Sequence, residues 1–256
     1  MNRITQLFKE KKENILSIYY TAGYPGLGDT IAIAEALEKA GADMLEIGFP
    51  YSDPVADGPV IQASSKQALE SGMDLNLLFA QLTELRKKVS IPVLLMGYVN
   101  PVLQYGVERF CKACAAVGVD GCIVPDLPMA EYEEFYKDIF LENGLSNIFL
   151  VTPQTSEERI RKIDSLSNGF IYLLSSSATT GQNLQVSDTT TGYFSRIAAM
   201  ELKNPTMIGF GISSKETFDK ACKYANGGII GTAFVKSLQA GQLESSVTEF
   251  MERFTA

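Results

Sequence analysis

The sequence contains no histidine and no tryptophan. Without histidine there is no catalytic triad with an imidazole base and no His-ligated metal site. Proton transfer falls to Asp, Glu, Tyr, Lys or Cys. Positive charge is also scarce. The chain has 22 Lys and Arg against 30 Asp and Glu, a net charge of −8, which argues against a broad nucleic-acid or anionic-membrane surface. No stretch approaches the ~20 apolar residues of a membrane span. Residues 1–12 are polar and lack the apolar run of a signal peptide. Cysteine is limited to Cys111, Cys114, Cys122 and Cys222. The Cys111-x-x-Cys114 spacing raises a zinc or redox reading, but no second C-x-x-C exists and no Gly-Pro turn holds the pair. Phe110, Cys111, Cys114 and Val117 fall on one helical face, so buried reduced thiols in a cytoplasmic compartment are expected.

What is present is a regular alternation of short apolar runs and longer amphipathic segments. The 256 residues are 46% hydrophobic, enough for a sizeable core. Strands are expected at 15–21, 43–49, 92–99, 121–125, 147–151, 170–175, 206–210 and 228–231. They are apolar almost without alternation, as in Ile91-Pro92-Val93-Leu94-Leu95-Met96, which is how parallel strands buried on both faces read. Helices are expected at 2–10, 30–40, 75–88, 129–143 and 157–166. Leu75, Leu78, Leu82 and Leu85 repeat at helical spacing. Thr155-x-x-Glu158 and Ser213-x-x-Glu216 read as capping boxes. Eight strand–helix units in one chain predict a single α/β domain over residues 1–256, a (β/α)8 barrel with an extra N-terminal helix. A doubly wound sheet is disfavoured, because no G-x-G-x-x-G opens the first helix and no composition break divides the chain.

Two connections are too rich to be simple turns: 48–59 after strand 2, and 175–191 after strand 6. Both follow C-terminal strand ends, where barrels carry their chemistry and their lids. Glu46 lies inside strand 2 between apolar neighbours. It is either a salt-bridged rim residue or an acid/base group whose pKa burial raises. Asp57 precedes Gly58 and suits a turn, yet two carboxylates approaching one mouth can divide labour. Asp53 before Pro54 reads first as a turn residue. The Gly-rich ends of strands 7 and 8, Gly209-Phe210-Gly211 and Gly231-Thr232-Ala233, are either tight turns or an amide cradle for phosphate. Gly181 offers one more amide. Tyr172 fills the barrel core or reaches its mouth. No expected strand carries a Lys, which argues against a Schiff-base aldolase.

The stretch from Leu45 to Gln62, LEIGFPYSDPVADGPVIQ, resembles the tryptophan synthase alpha subunit family. Thr21-Ala22-Gly23, Tyr98-Val99-Asn100-Pro101, Val124-Pro125-Asp126-Leu127-Pro128, Tyr172-Leu173-Leu174-Ser175 and Gly209-Phe210-Gly211-Ile212-Ser213 extend the resemblance over the whole chain, in order. It implies a metal-free retro-aldol cleavage of indole-3-glycerol phosphate to indole and glyceraldehyde 3-phosphate. Glu46 would be the acid/base, Asp57 would hold the indole N–H, and Tyr172 would assist. Tyr19, Met96, Ile123 and Leu150 would line the indole pocket. Amides of Gly181, Phe210, Gly211, Gly231 and Thr232 would hold phosphate, and Thr180 would close onto Asp57. Asp53, Pro54 and Asn100 would face a beta subunit in an alpha2beta2 heterotetramer. Pyridoxal phosphate would sit on that partner, with no cofactor on this chain. The chain departs from the family pattern at Ser175-Ser176-Ser177 and Ala178, where many members carry Arg and Gly, and at Tyr24, where an acid is common. The altered loop motivates a second reading, a non-catalytic alpha-like activator of a beta subunit. A third reading, a sugar-phosphate isomerase or epimerase, leaves the 53–59 loop and the apolar pocket unexplained.

Overall fold

The strands form because successive residues have two apolar surfaces to meet. In the computed structural model, which describes residues 2–175, 188–209 and 211–255, they are β1 (Ile15–Thr21), β2 (Met44–Gly48), β3 (Val93–Met96), β4 (Gly121–Ile123), β5 (Ser146–Val151), β6 (Ile171–Leu174), β7 (Thr206–Gly209) and β8 (Gly227–Ile230). Each pairs in parallel with the next, and β8 pairs with β1 to close the barrel. This is the expected (β/α)8 architecture with its extra N-terminal helix.

Alternation along each strand divides the side chains between two clusters. Ile15 and Tyr19 of β1, Met44 of β2, Leu94 and Met96 of β3, Ile148 of β5 and Tyr172 of β6 fill the barrel interior. Leu16, Ile18, Leu45, Ile47, Leu95 and Leu173 point outward beneath the helices. The same period turns Glu46, two residues after Met44, toward the barrel axis. Leu78, Leu82 and Leu85 are buried in the outer cluster, as the helical spacing predicts, with Leu75 packed beside them.

The bottom of the barrel is closed by helix Arg3–Glu10. Its Ile4 is fully buried in the interior cluster, and its Phe8 ring lies 6.0 Å from Phe170. Asn2 caps this helix by accepting from the Ile4 amide, and its Nδ2 donates to the Asp120 carbonyl at 2.6 Å. The Asp120 carboxylate is buried and fully engaged. It accepts from Arg3 at 3.0 Å, from Arg86 at 2.7 Å and from the Val93 amide at 2.9 Å.

Several boundaries differ from the sequence-based expectation. The run 92–99 ends as a strand at Met96, and a helix begins at Val99. The run 75–88 splits into helices Leu75–Leu82 and Leu85–Lys88. Thr83 Oγ1 donates to the Ala80 carbonyl there, a local bond that competes with the helical ladder. The run 129–143 contains a wider π-turn at Tyr132–Tyr136, which brings Tyr132 and Phe140 together with ring centroids 5.4 Å apart. Both N-caps are displaced by one residue, and only the second forms a capping box. Thr155 is drawn away because its hydroxyl accepts from the Thr152 amide at 3.0 Å, so Ser156 caps helix Glu157–Leu166. Ser214, with Thr217, caps helix Lys215–Cys222. Cys111, Cys114 and Cys122 are buried thiols, and burial pushes Cys111 up to about 12. Among the described residues no helix is long and apolar enough to cross a membrane.

Removing the Asp120 carboxylate strands Arg3, Arg86 and the Val93 amide together. Asp120→Ala is expected to lower stability by about 3 kcal/mol, read from urea unfolding midpoints.

Candidate active site

Glu46 enters the barrel from β2 and is 0% exposed. Ser17 of β1 donates its hydroxyl to Oε1 at 2.9 Å, while Oε2 has no hydrogen-bond partner among the described residues. An ionised carboxylate is costly in such surroundings. Burial accordingly raises the Glu46 pKa from its ordinary 4.5 to about 8, with the Ser17 bond pulling the other way. At neutral pH this residue holds its proton.

Asp57 comes from the loop that leaves β2. The loop is pinned by backbone turns, Val55 N–H to the Asp53 carbonyl at 2.9 Å and Asp57 N–H to the Pro54 carbonyl at 3.0 Å. Tyr98 ties it from the neighbouring β3 connection. Its hydroxyl accepts from the Ala56 amide and donates to Asp57 Oδ2, each at 3.0 Å. Gln62 Nε2 donates to the Asp57 carbonyl at 2.8 Å. Burial raises the Asp57 carboxyl from 3.8 to about 6, opposed by the Tyr98 bond. Between about 6 and about 8, therefore, Asp57 is ionised and Glu46 is neutral.

Both carboxyls act on the same two phenols. Tyr19 and Tyr172 have pKa values raised chiefly by burial, and Asp57 and Glu46 contribute to each. The phenols fit because neighbouring strands carry glycine. A Cβ on Gly48 would lie 2.2 Å from the Tyr19 hydroxyl, and one on Gly209 would lie 2.0 Å from that of Tyr172. Beside them opens a cavity of about 320 Å³. Tyr19, Met96, Leu150 and Leu174 give it apolar walls; Asp57, Thr152, Thr155 and Arg159 supply polar groups. The size is at the small end of ligand pockets (roughly 300–1,000 Å³). A flat aromatic body with one polar N–H suits such walls.

Of the residues singled out in the sequence, Tyr19, Asp57, Met96 and Leu150 line this cavity; Glu46 and Tyr172 are not on its wall but are buried in the barrel within electrostatic reach of Tyr19. Ile123 is fully buried in the same interior cluster and is not on the cavity wall. Gly211, with φ +78°, follows β7. Gly231 and Thr232 follow β8, where helix Thr232–Ser237 begins, and a Cβ on Gly231 would lie 3.3 Å from Tyr19. Thr180, Gly181, Phe210 and the 176–178 departure lie outside the described residues. Asp53 and Asn100 are exposed on the mouth side, with Asn100 Nδ2 3.2 Å from the Tyr51 hydroxyl. Pro54 lines the cavity. No group of three residues able to hold a metal ion occurs among those described.

Sequence reasoning missed Ser17, Tyr98 and Arg159. Ser17 carried a signal: it is the polar member of the inward set Ile15, Ser17, Tyr19. Tyr98 stood within a quoted motif but without a role. Arg159 lay in the expected helix 157–166 and was given no role.

The family model described as tryptophan synthase alpha chain matches residues 5–255. The tryptophan synthase alpha chain of Flavobacterium psychrophilum is 57% identical over 251 residues, covering 98% of each chain. That of Flavobacterium johnsoniae is 57% identical over 252 residues, 97% of this chain and 99% of the other. Among solved structures, tryptophan synthase subunit alpha from Legionella pneumophila superposes with a TM-score of 0.89 at 31% identity, covering 99% of this chain and 97% of that one.

The raised Glu46 pKa has a consequence for stability. Between pH 4.5 and about 8 the folded chain keeps a proton that the unfolded chain has released. Stability from this group is therefore intact below about pH 4.5 and is lost as pH rises through about 8. Glu46→Gln removes that loss. Its melting temperature relative to the parent chain, read by scanning calorimetry, is expected to be higher at pH 9 than at pH 5.

Proposed function

The chain belongs to the tryptophan synthase alpha chain family, and from that premise we propose the chemistry of its site. It is a carbon–carbon lyase that cleaves indole-3-glycerol phosphate to indole and glyceraldehyde 3-phosphate, a step of tryptophan biosynthesis. The observation that carries the residue assignment is the buried Glu46, neutral at physiological pH, with one oxygen unpartnered among the described residues and with the phenols of Tyr19 and Tyr172 shared with an ionised Asp57.

The substrate's indole ring enters the apolar cavity. Glu46 delivers its proton to indole carbon 3, which leaves the ring a cationic indolenine. Asp57 accepts a hydrogen bond from the ring N–H and offsets the positive charge that develops there. The Glu46 carboxylate then takes the proton of the side-chain hydroxyl next to the ring. The carbon–carbon bond breaks, its electron pair returns to the ring, and the hydroxyl carbon becomes the aldehyde. Glu46 ends protonated, as it began, and indole and the triose phosphate are released. Tyr172, with its phenol held protonated by burial, lines the reacting centre. Amides at Gly211, Gly231 and Thr232, joined by Gly181 and Phe210, are assigned to the phosphate. Thr180 is assigned to closure onto Asp57.

This chemistry runs on carboxyl groups, so no cofactor is assigned to this chain. The family name implies a beta-subunit partner, on which pyridoxal phosphate is placed. Asp53, Pro54 and Asn100 are assigned to that interface, in an alpha2beta2 assembly, with indole passed across it. Four unpaired cysteines support a cytoplasmic setting. The activator reading is not favoured, because a structural subunit has no use for a carboxyl kept neutral at the cost of burying it.

Glu46→Gln and Asp57→Asn separate the readings. Glu46→Gln is expected to lower indole release at least about a hundredfold while circular dichroism stays unchanged, and Asp57→Asn to lower it about as far. Full turnover in Glu46→Gln removes that residue from proton transfer. Stimulation of the beta partner's serine chemistry by a parent chain that releases no indole establishes the activator instead.

A further inference from the structure

β1 presents Ile15, Ser17 and Tyr19 inward, and the small polar residue among them is wholly buried. Its hydroxyl donates to Glu46 Oε1 at 2.9 Å. The register pairs Ser17 with Met44 and Tyr19 with Glu46, so Ser17 reaches the carboxyl from one layer deeper in the barrel, away from the mouth. Glu46 Oε2 is buried without a hydrogen-bond partner among the described residues. We propose that Ser17 is a positioning residue: by holding Oε1 as an acceptor, it keeps the transferable proton of Glu46 on Oε2 and that oxygen free for substrate.

The argument is one of donor and acceptor capacity, and it rests on the reading of Glu46 as the acid/base. A neutral carboxyl has one oxygen that accepts and one that carries the hydrogen. A donor fixed on Oε1 makes Oε2 the site of the hydrogen. The opposite arrangement would turn the proton toward Ser17, away from the cavity. Once the proton has left, the same hydroxyl stabilises the carboxylate without moving. The bond thus serves both halves of the catalytic cycle.

The titratable groups facing Glu46 reinforce the assignment. They are Tyr19 from β1 and Tyr172 from β6, and Asp57 from the loop after β2 acts on the same two phenols. Burial keeps both phenols protonated, and Asp57 carries negative charge. None of the three brings a positive charge toward Glu46. Ser17 is the group that opposes the burial penalty on this carboxyl.

The test uses Ser17→Ala, Ser17→Cys and Ser17→Thr in the full chain, assayed with the beta partner at neutral pH. Ser17→Ala is expected to lower kcat for indole release about tenfold with KM unchanged. Ser17→Thr, which keeps the hydroxyl, is expected to stay within about twofold of the parent, with Ser17→Cys, a weaker donor, between the two. In the substrate-free chain, carbon-13 NMR is expected to show the Glu46 carboxyl of Ser17→Ala titrating above the parent's about 8. An unchanged titration in Ser17→Ala, or equal losses in the Ala and Thr variants, overturns the proposal. Failure of the acid/base reading itself shows separately, as turnover retained by Glu46→Gln.

Discussion

A carboxyl group sealed inside an apolar barrel governs the arrangement around it. Water would leave Glu46 ionised at neutral pH and useless as an acid. Burial reverses that state, and the reversal costs stability as pH rises. The fold tolerates the cost because the group is only half unsatisfied. One oxygen is held by Ser17 and the other has no hydrogen-bond partner among the described residues. An orphaned polar atom of this kind marks a place where binding completes the structure. Asp57, nearer the surface, is raised less and stays charged. Two carboxyls of similar intrinsic acidity thus reach opposite protonation states chiefly through depth.

The barrel separates this strained region from the parts that hold it together. Its bottom is plugged by helix Arg3–Glu10, and Asp120 there has both carboxylate oxygens engaged, by Arg3, Arg86 and the Val93 amide. At the mouth, Glu46 lacks such support, and glycines at 48 and 209 give way to the phenols of Tyr19 and Tyr172. A satisfied charge at one end and a neutral carboxyl with an unpartnered oxygen toward the other fit a barrel whose C-terminal face does chemistry.

The barrel was legible because parallel strands buried on both faces leave near-continuous apolar runs, such as Val93 to Met96. Glu46 was legible for the same reason: a charge interrupting such a run must be explained. What the sequence concealed was cross-strand and loop geometry. Ser17 reaches Glu46 only through the β1–β2 register, and Tyr98 reaches Asp57 only because the β2 and β3 connections fold side by side. The cap of helix Glu157–Leu166 slipped by one residue because Thr155 accepts from the Thr152 amide and leaves the Arg159 amide to Ser156. The π-turn at Tyr132–Tyr136 has no signature in hydrophobic period and shows only in the structure, where Tyr132 packs against Phe140.

The most direct test of opposite protonation states at one mouth is the pH dependence of kcat/KM for indole-3-glycerol phosphate, measured with the beta partner present. The account predicts activity rising through about pH 6 as Asp57 ionises and falling through about pH 8 as Glu46 loses its proton. A profile flat across that window, or one whose acid limb and base limb both lie at the ordinary carboxylate values of 3.8 and 4.5, would contradict it.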